Sequence, residues 1–247
     1  MSRPVPAATS ALQVLRYLSG HTEPVPAARI AAAIGLPRSS AYHLLAAMAE
    51  EDFVVHYPDD RAWGIGIGAW EVGIGFARQE PLARIARVPL VQLVDRVQES
   101  AHLAILHGTD VLYVIEERAR HRPHLVSDVG VRLPAHLTAS GRAILASLEP
   151  AQVRALYPNR SAFVSRTGSG PNSPAELGRL LSQTRQRGYA TEDGEVTPGF
   201  SSVAAPILVG TVPASVAVTW ATDTRSGIPV AAVRHAAETI AGRLRRR

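Results

Sequence analysis

Two short helical patterns separated by a tight, glycine-containing turn constrain the first part of this chain more than any other feature. Ile30 and Ile34 lie on one apolar helical face, and that pattern stops at Gly35. After Pro37 a second periodic stretch runs over residues 38–51. Two short helices that meet across such a turn are typical of the helix-turn-helix motif.

The segments around these helices predict the rest of a small domain. Apolar spacing over residues 11–19 predicts a preceding helix, and residues 53–55 and 61–63 predict two strands joined by a Pro-Asp-Asp turn. This hairpin would form a wing. The pattern therefore predicts a winged helix-turn-helix domain over residues 1–66.

Residues 67–80 predict a linker helix, and from residue 81 the pattern changes to alternating helices and strands. We expect an α+β domain over 81–247. Its predicted strands are 101–106, 111–117, 202–208 and 214–220. Its predicted helices are 81–97 (one helix, or a pair interrupted at Pro89), 138–148, 173–187 and 229–245.

The positive charge of the chain is not concentrated in the segment that is predicted to bind DNA. The net charge is +5, yet the first 66 residues hold five arginines against six carboxylates. Overall basicity therefore does not identify the DNA-binding surface.

The composition excludes several classes of protein. The absence of cysteine excludes disulfides, thiolate metal sites and cysteine nucleophiles. The sequence has no apolar run of about 18 residues and no signal-peptide pattern. We expect a cytoplasmic protein that does not enter a membrane.

The second helix of the motif carries the candidate DNA contacts. A helix-turn-helix reads base edges in double-stranded DNA with the N-terminal part of this helix. An arginine there can bind guanine or a phosphate, and hydroxyl and aromatic side chains can reach a base or the backbone. The candidates are Arg38, Ser39, Ser40, Tyr42 and His43. The alternative is that Ser39 caps the helix and Arg38 is only solvated.

Three blocks of sequence resemble the isocitrate lyase regulator (IclR) family of bacterial transcription regulators. They are residues 35–45, 133–143 and 188–206, in family order and spacing. The resemblance implies a winged helix domain, a linker helix and a GAF-like effector-binding domain with an antiparallel sheet. It also implies a homodimer or dimer of dimers that binds operators as a repressor or activator, with small carboxylates or aromatic acids as effectors.

The resemblance also implies an effector pocket, which the residues support in part. Thr138 is a suitable cap for a helix whose free N-terminal amides would attract a carboxylate. The positions that match the family's pocket are Leu133, Ala139, Ser140, Glu192 on an acidic loop, Ser202 and Thr219. The alternative is that Thr138 and Ser140 only cap a helix and Glu192 lies in a solvated turn.

This chain departs from the family pattern at three places. His43 stands where many members have arginine, Ser202 stands where many have a pocket cysteine, and Gly194 interrupts the acidic run. The sequence of the DNA target and the identity of the effector are therefore not implied by the resemblance.

Other functions remain as alternatives. An enzyme could use His136 and Glu192 as base and acid, but no nucleophile, base and orienting group are recognisable together, so we expect no catalysis. His102, His107 and His136 could meet at a metal, whereas His121 and His124 lie among arginines. We expect no metal or cofactor. A module that binds only other proteins is the third alternative.

Overall fold

The computed structural model describes residues 5–79, 81–120, 122, 125–209, 213–223 and 227–246. The chain forms two compact units, Met1–Glu80 and Pro81–Arg247.

The first unit is a winged helix-turn-helix, as predicted. Its elements are α1 (Pro6–Ser19), β1 (Val25–Pro26), α2 (Ala27–Ile34), α3 (Arg38–Glu50), β2 (Val54–Tyr57), β3 (Ala62–Ile65) and α4 (Ile67–Gln79). The central strand β3 pairs antiparallel with both β1 and β2. Gly35 ends α2 with a φ of 70°, a left-handed conformation that glycine adopts without strain and that turns the chain into α3.

The core of this unit differs from the predicted stripe in α1. Leu12 is 63% exposed, and Val14 and Leu18 are the buried residues of this helix. They pack with Ile30, Leu45 and other apolar side chains in one cluster. The helix also begins five residues earlier than predicted, because Pro6 suits a first helical turn.

Two glycines hold the start of α4 close to the turn after α3. A Cβ atom on Gly66 would lie 2.1 Å from the carbonyl oxygen of Asp52, and one on Gly68 would lie 3.1 Å from that of Glu51. Only glycine allows this approach. These two glycines therefore serve packing inside the unit.

The second unit is built on one antiparallel sheet of six strands in the order β6-β5-β4-β9-β8-β7. Its strands are β4 (Ser100–His107), β5 (Asp110–Glu117), β6 (Arg132–Pro134), β7 (Ala190–Asp193), β8 (Phe200–Ile207) and β9 (Ala214–Ala221). Its helices are α5 (Pro81–Val97), α6 (Ala139–Ser147), α7 (Pro150–Leu156), α8 (Pro174–Arg187) and α9 (Val230–Arg245). The α+β class and the antiparallel sheet are as expected.

Helices cover both faces of this sheet. Alternate strand residues such as Val216 pack with α5 and α9 in the larger core cluster. The residues between them, such as Ala217, face α6 in a cluster made entirely of alanine. Because alanine is small, α6 lies close to the central strands.

Of the two predicted alternatives for α5, the structure has the single helix, which continues through Pro89. Other elements differ from the predictions. Strands β6 and β7 and helix α7 were not predicted. Glu192 lies on β7 and not on a loop, and it pairs with Ser202 of β8.

Candidate functional sites

The N-terminal part of α3 presents a polar, solvent-exposed face. The five predicted DNA contacts, Arg38, Ser39, Ser40, Tyr42 and His43, are all exposed. On the other side of the helix, Ala41, Leu45 and Met48 are buried against the rest of the unit. The candidate side chains are therefore free of any packing role.

The first turn of α3 has no side-chain cap, so the alternative that Ser39 caps it is wrong. Pro37 is the N-cap residue and accepts a hydrogen bond from the amide of Ala41 through its carbonyl oxygen. The first amides of a helix have no acceptor within the helix. Beside Arg38, these amides can donate to a phosphate.

The wing is a tight hairpin with an acidic tip. Strands β2 and β3 pair from Val54 opposite Ile65 to Tyr57 opposite Ala62. Asp59 and Asp60 lie in the turn between the strands. The tip itself is therefore a poorer phosphate contact than α3.

All six predicted ligand-binding residues of the second unit line one cavity. The volume of this cavity is about 60 Å³. Leu133 comes from β6, Ala139 and Ser140 from α6, Glu192 from β7, Ser202 from β8 and Thr219 from β9. That they bind a ligand stays a prediction.

The start of α6 is one wall of this cavity. The Thr138 hydroxyl accepts a hydrogen bond from the Gly141 amide at 2.9 Å, as expected of a cap. A Cβ atom on Gly141 would lie 2.2 Å from the carbonyl oxygen of Ala135, so only glycine fits. Ala139 and Ser140, whose amides precede the capped amide and have no acceptor within the helix, line the cavity.

Arg142 fastens α6 to the neighbouring strand and loop. Its side chain is buried and donates to the carbonyl oxygens of His136 and Thr191, at 2.8 and 2.9 Å. It also forms an ion pair with Glu195 at 2.8 Å. The Arg142 guanidinium is therefore occupied by three acceptors and does not line the cavity.

Glu192 is a buried carboxyl group on the cavity wall. It is 5% exposed, and its Oε1 accepts a hydrogen bond from the Val196 amide at 3.1 Å. Burial raises the pKa of Glu192 to about 7, and the Glu195 charge adds to this. The Val196 amide, the Ser202 hydroxyl and Arg142 act in the opposite direction.

The structure adds cavity residues that the sequence analysis missed. Tyr113 is the main one: burial raises the pKa of its hydroxyl, and the hydroxyls of Ser140 and Thr138 act in the opposite direction. The hydroxyls of Ser202 and Thr219 form a hydrogen bond of 2.9 Å. The remaining lining residues are Leu125, Val126, Ser127, Thr138, Val196, Thr197, Phe200 and Ala217. Strand alternation places Tyr113 inward, but no sequence signal marks the space beside it.

The three histidines proposed as metal ligands do not come together. His102 hydrogen-bonds to Ser127, His107 to Arg132, and His136 to the carbonyl oxygen of Val164. His121 and His124 lie outside the described residues. Within the described ranges no group of three or more His, Asp or Glu side chains is arranged to hold a metal ion.

The proposed acid and base pair is also separated. The His136 ring packs edge-on against Tyr157 and Phe163, and it is not among the described residues that line the cavity with Glu192. Burial lowers the pKa of His136.

No helix in the described part of the chain has the length and apolar character needed to span a bilayer.

Two family models match this chain and together cover most of it. The IclR helix-turn-helix domain matches residues 7–58. The C-terminal domain of the bacterial transcriptional regulator IclR matches residues 75–241.

Curated relatives resemble the chain over most of their length. The transcriptional repressor IclR of Escherichia coli is 30% identical over 205 residues, which are 82% of this chain and 74% of the relative. The glycerol operon regulatory protein of Streptomyces coelicolor is 30% identical over 207 residues, 84% of this chain and 80% of the relative.

Solved structures share the fold over nearly the whole chain. An IclR transcriptional regulator from Alicyclobacillus acidocaldarius superposes with a TM-score of 0.86 at 24% identity, covering 97% of this chain and 99% of the other. An IclR homologue from Microbacterium hydrocarbonoxydans, solved with 4-hydroxybenzoate, superposes with a TM-score of 0.84 at 22% identity, covering 98% and 100%.

Proposed function

Because this chain belongs to the IclR family of bacterial transcriptional regulators, we propose that it controls transcription by binding an operator through α3 and a small organic acid in the cavity of its second unit. The observation that carries the proposal is the convergence of six positions from one helix and four strands on a single cavity.

The DNA contact is proposed for Arg38, Ser39, Ser40, Tyr42 and His43. Their exposure and the uncapped first turn of α3 support it, since both leave donors facing solvent. Arg38 is the one cation of this group at neutral pH. It is the residue most suited to a guanine edge or a phosphate.

The effector site is proposed for Leu133, Ala139, Ser140, Glu192, Ser202 and Thr219. Hydroxyls and free amides at the start of α6 supply donors for a carboxylate, and apolar side chains supply the rest of the wall. A volume of about 60 Å³ holds about four to six water-sized groups. This favours an acid of few carbon atoms.

The test of this function is a titration of the full-length protein with the DNA upstream of its own gene, followed by fluorescence anisotropy. We expect specific binding that weakens with salt and changes when a small carboxylate is added. Arg38→Ala should weaken binding about tenfold or more, while Glu50→Gln, at the far end of α3, should not. The proposal is wrong if no salt-sensitive specific binding occurs with or without acids.

We propose a homodimer, or a dimer of dimers, in which α4 is part of the interface. Ile67 and Trp70 are 59% and 61% exposed, and the half-buried Ile74 continues the same helical face. An apolar stripe of this kind is typical of an interaction surface. A dimer would place two winged units on two half-sites, and effector binding would favour one arrangement of them.

The absence of catalysis and the cellular location are also proposed. The curated relatives are transcription regulators, and we propose that this chain likewise has no catalytic role. It would act in the cytoplasm, where bacterial operators are found.

A further inference from the structure

We propose that the cavity binds an anionic effector together with one proton, which Glu192 carries as a neutral carboxylic acid and donates in a hydrogen bond to the effector's carboxylate. This rests on the proposed acid-sensing function and deepens it. The proton comes from solvent when Glu192 is ionised before binding.

The described lining of the cavity offers an anion several donors but no cation. Its described residues include no arginine and no histidine, and the sequence contains no lysine. The guanidinium of Arg142, which follows the lining residues of α6, is held by Glu195 and two carbonyl oxygens. Among the described lining residues, hydroxyls and amides would therefore bind a carboxylate, and none of these residues would neutralise its charge.

Glu192 would share this cavity with the effector. Its carboxyl group is buried on the cavity wall, and only one of its oxygens accepts from a described backbone amide, that of Val196. An effector carboxylate that binds the hydroxyls of Ser140 and Ser202 would occupy the cavity that Glu192 also lines. Two carboxylates that share a buried site do not both ionise, because their repulsion is barely screened.

The groups around Glu192 leave it as the group that gains the proton. On its own strand and the loop after it, Asp193 accepts from Ser201, and Glu195 is paired with Arg142 of α6. The residues of β8 and β9 that line the cavity carry no charge; they are Phe200, Ser202, Ala217 and Thr219. From β5 comes Tyr113, whose pKa burial raises so that it stays protonated. Burial raises the pKa of Glu192 to about 7, so a neutral Glu192 is accessible near neutral pH.

An ionised Glu192 would instead select a different class of ligand. It would favour an amine or a hydroxyl donor and would repel the acid. The proton is therefore what makes this cavity compatible with a carboxylate.

The experiment is isothermal titration calorimetry of the full-length protein with a panel of acetate, lactate, butyrate and 4-hydroxybenzoate, and with the corresponding amides. Each titration is run in two buffers of different ionisation enthalpy, so that the difference in heat gives the protons taken up. With an acid that binds, we expect uptake of about one proton at pH 8.5 and close to none at pH 5.5. Affinity should fall about tenfold per pH unit above pH 7.5. The amides should bind without proton uptake.

Two variants complete the test. Glu192→Gln keeps a neutral hydrogen-bond donor, so it should bind the acid without proton uptake and with an affinity that does not change with pH. Asp193→Asn removes an exposed carboxylate one residue away and should behave like the wild type.

The outcomes separate the two proposals. Binding of an acid to the wild type at pH 8.5 without proton uptake overturns the inference and leaves the acid-sensing function in place. Failure of every acid to bind at either pH overturns the acid-sensing function, and the inference with it. The buffer comparison on the wild type does not depend on the folding of either variant.

Discussion

At Gly141 the start of α6 runs so close to the chain before it that no side chain can be accommodated. A Cβ atom would lie 2.2 Å from a backbone oxygen, and a backbone contact relaxes less easily than a flexible side chain. We expect Gly141→Ala to lower the free energy of unfolding by about 2 kcal/mol or more. Urea denaturation followed by circular dichroism measures this.

A matched glycine in the same unit provides the control. Gly178 lies inside α8, and a Cβ atom there would meet nothing within 4 Å. Gly178→Ala should stabilise the protein by about 0.5 kcal/mol, because alanine reduces the entropy of the unfolded chain. If both substitutions had the same effect, the close approach at Gly141 would not be the cause.

Glu192 gives the protein a pH-dependent stability that needs no ligand. Its pKa is raised from 4.5 to about 7 in the folded state. Between these values the folded state binds more protons than the unfolded state, so this contribution is complete at low pH and is lost as pH rises through the folded pKa. Relative to the wild type, Glu192→Gln should be neutral at pH 4 and more stable by roughly 3 kcal/mol at pH 8.

Thermal or urea unfolding of the two proteins across this pH range measures the difference. Glu50→Gln, a change at an exposed carboxyl of the other unit, is the control. A Glu192→Gln difference that is constant with pH would contradict the buried, proton-binding role of Glu192.

At the scale of elements, strong periodic signals predicted the structure and short ones did not. Apolar patterns located α3 and the four longer strands within a few residues, and a capping box with a closing glycine located α8. Strand β7 was missed because its sequence, Ala190–Asp193, has little apolar alternation and ends in two carboxylates. Helix α5 continues through Pro89 because tertiary packing against α9 and the sheet offsets one lost backbone hydrogen bond.

The candidate site was predictable where a motif or a family position marked it. The family positions proposed for the pocket lie together, although they are spread over nearly ninety residues of sequence. Tyr113 could not be predicted, since an aromatic residue facing inward from a strand is more often part of a filled core. The burial and proton binding of Glu192 depend on long-range packing and not on its neighbours in sequence.

At the scale of the whole molecule, DNA binding should depend on association of two copies. The first unit carries few cations, so each copy alone should bind weakly, and two linked copies gain affinity through the second contact. We expect Trp70→Glu to shift the protein toward monomer in analytical ultracentrifugation. It should also lower operator affinity about tenfold or more.

The comparison variant for this prediction is Val164→Glu. Val164 is 53% exposed in the second unit and is not part of the α4 stripe. The dimer proposal fails if Trp70→Glu leaves both sedimentation and operator binding unchanged. Tight operator binding by an isolated 1–66 fragment would also contradict it.

The strand order has a consequence for how the protein is made. The two central strands, β4 and β9, pair Ser100 with Thr219, so the sheet cannot close until nearly all of the second unit has left the ribosome. The strand pairs and the core cluster of the first unit lie within residues 11–65, which are synthesised first. During synthesis the DNA-binding unit should therefore fold first, and the unit proposed to bind the effector should fold last.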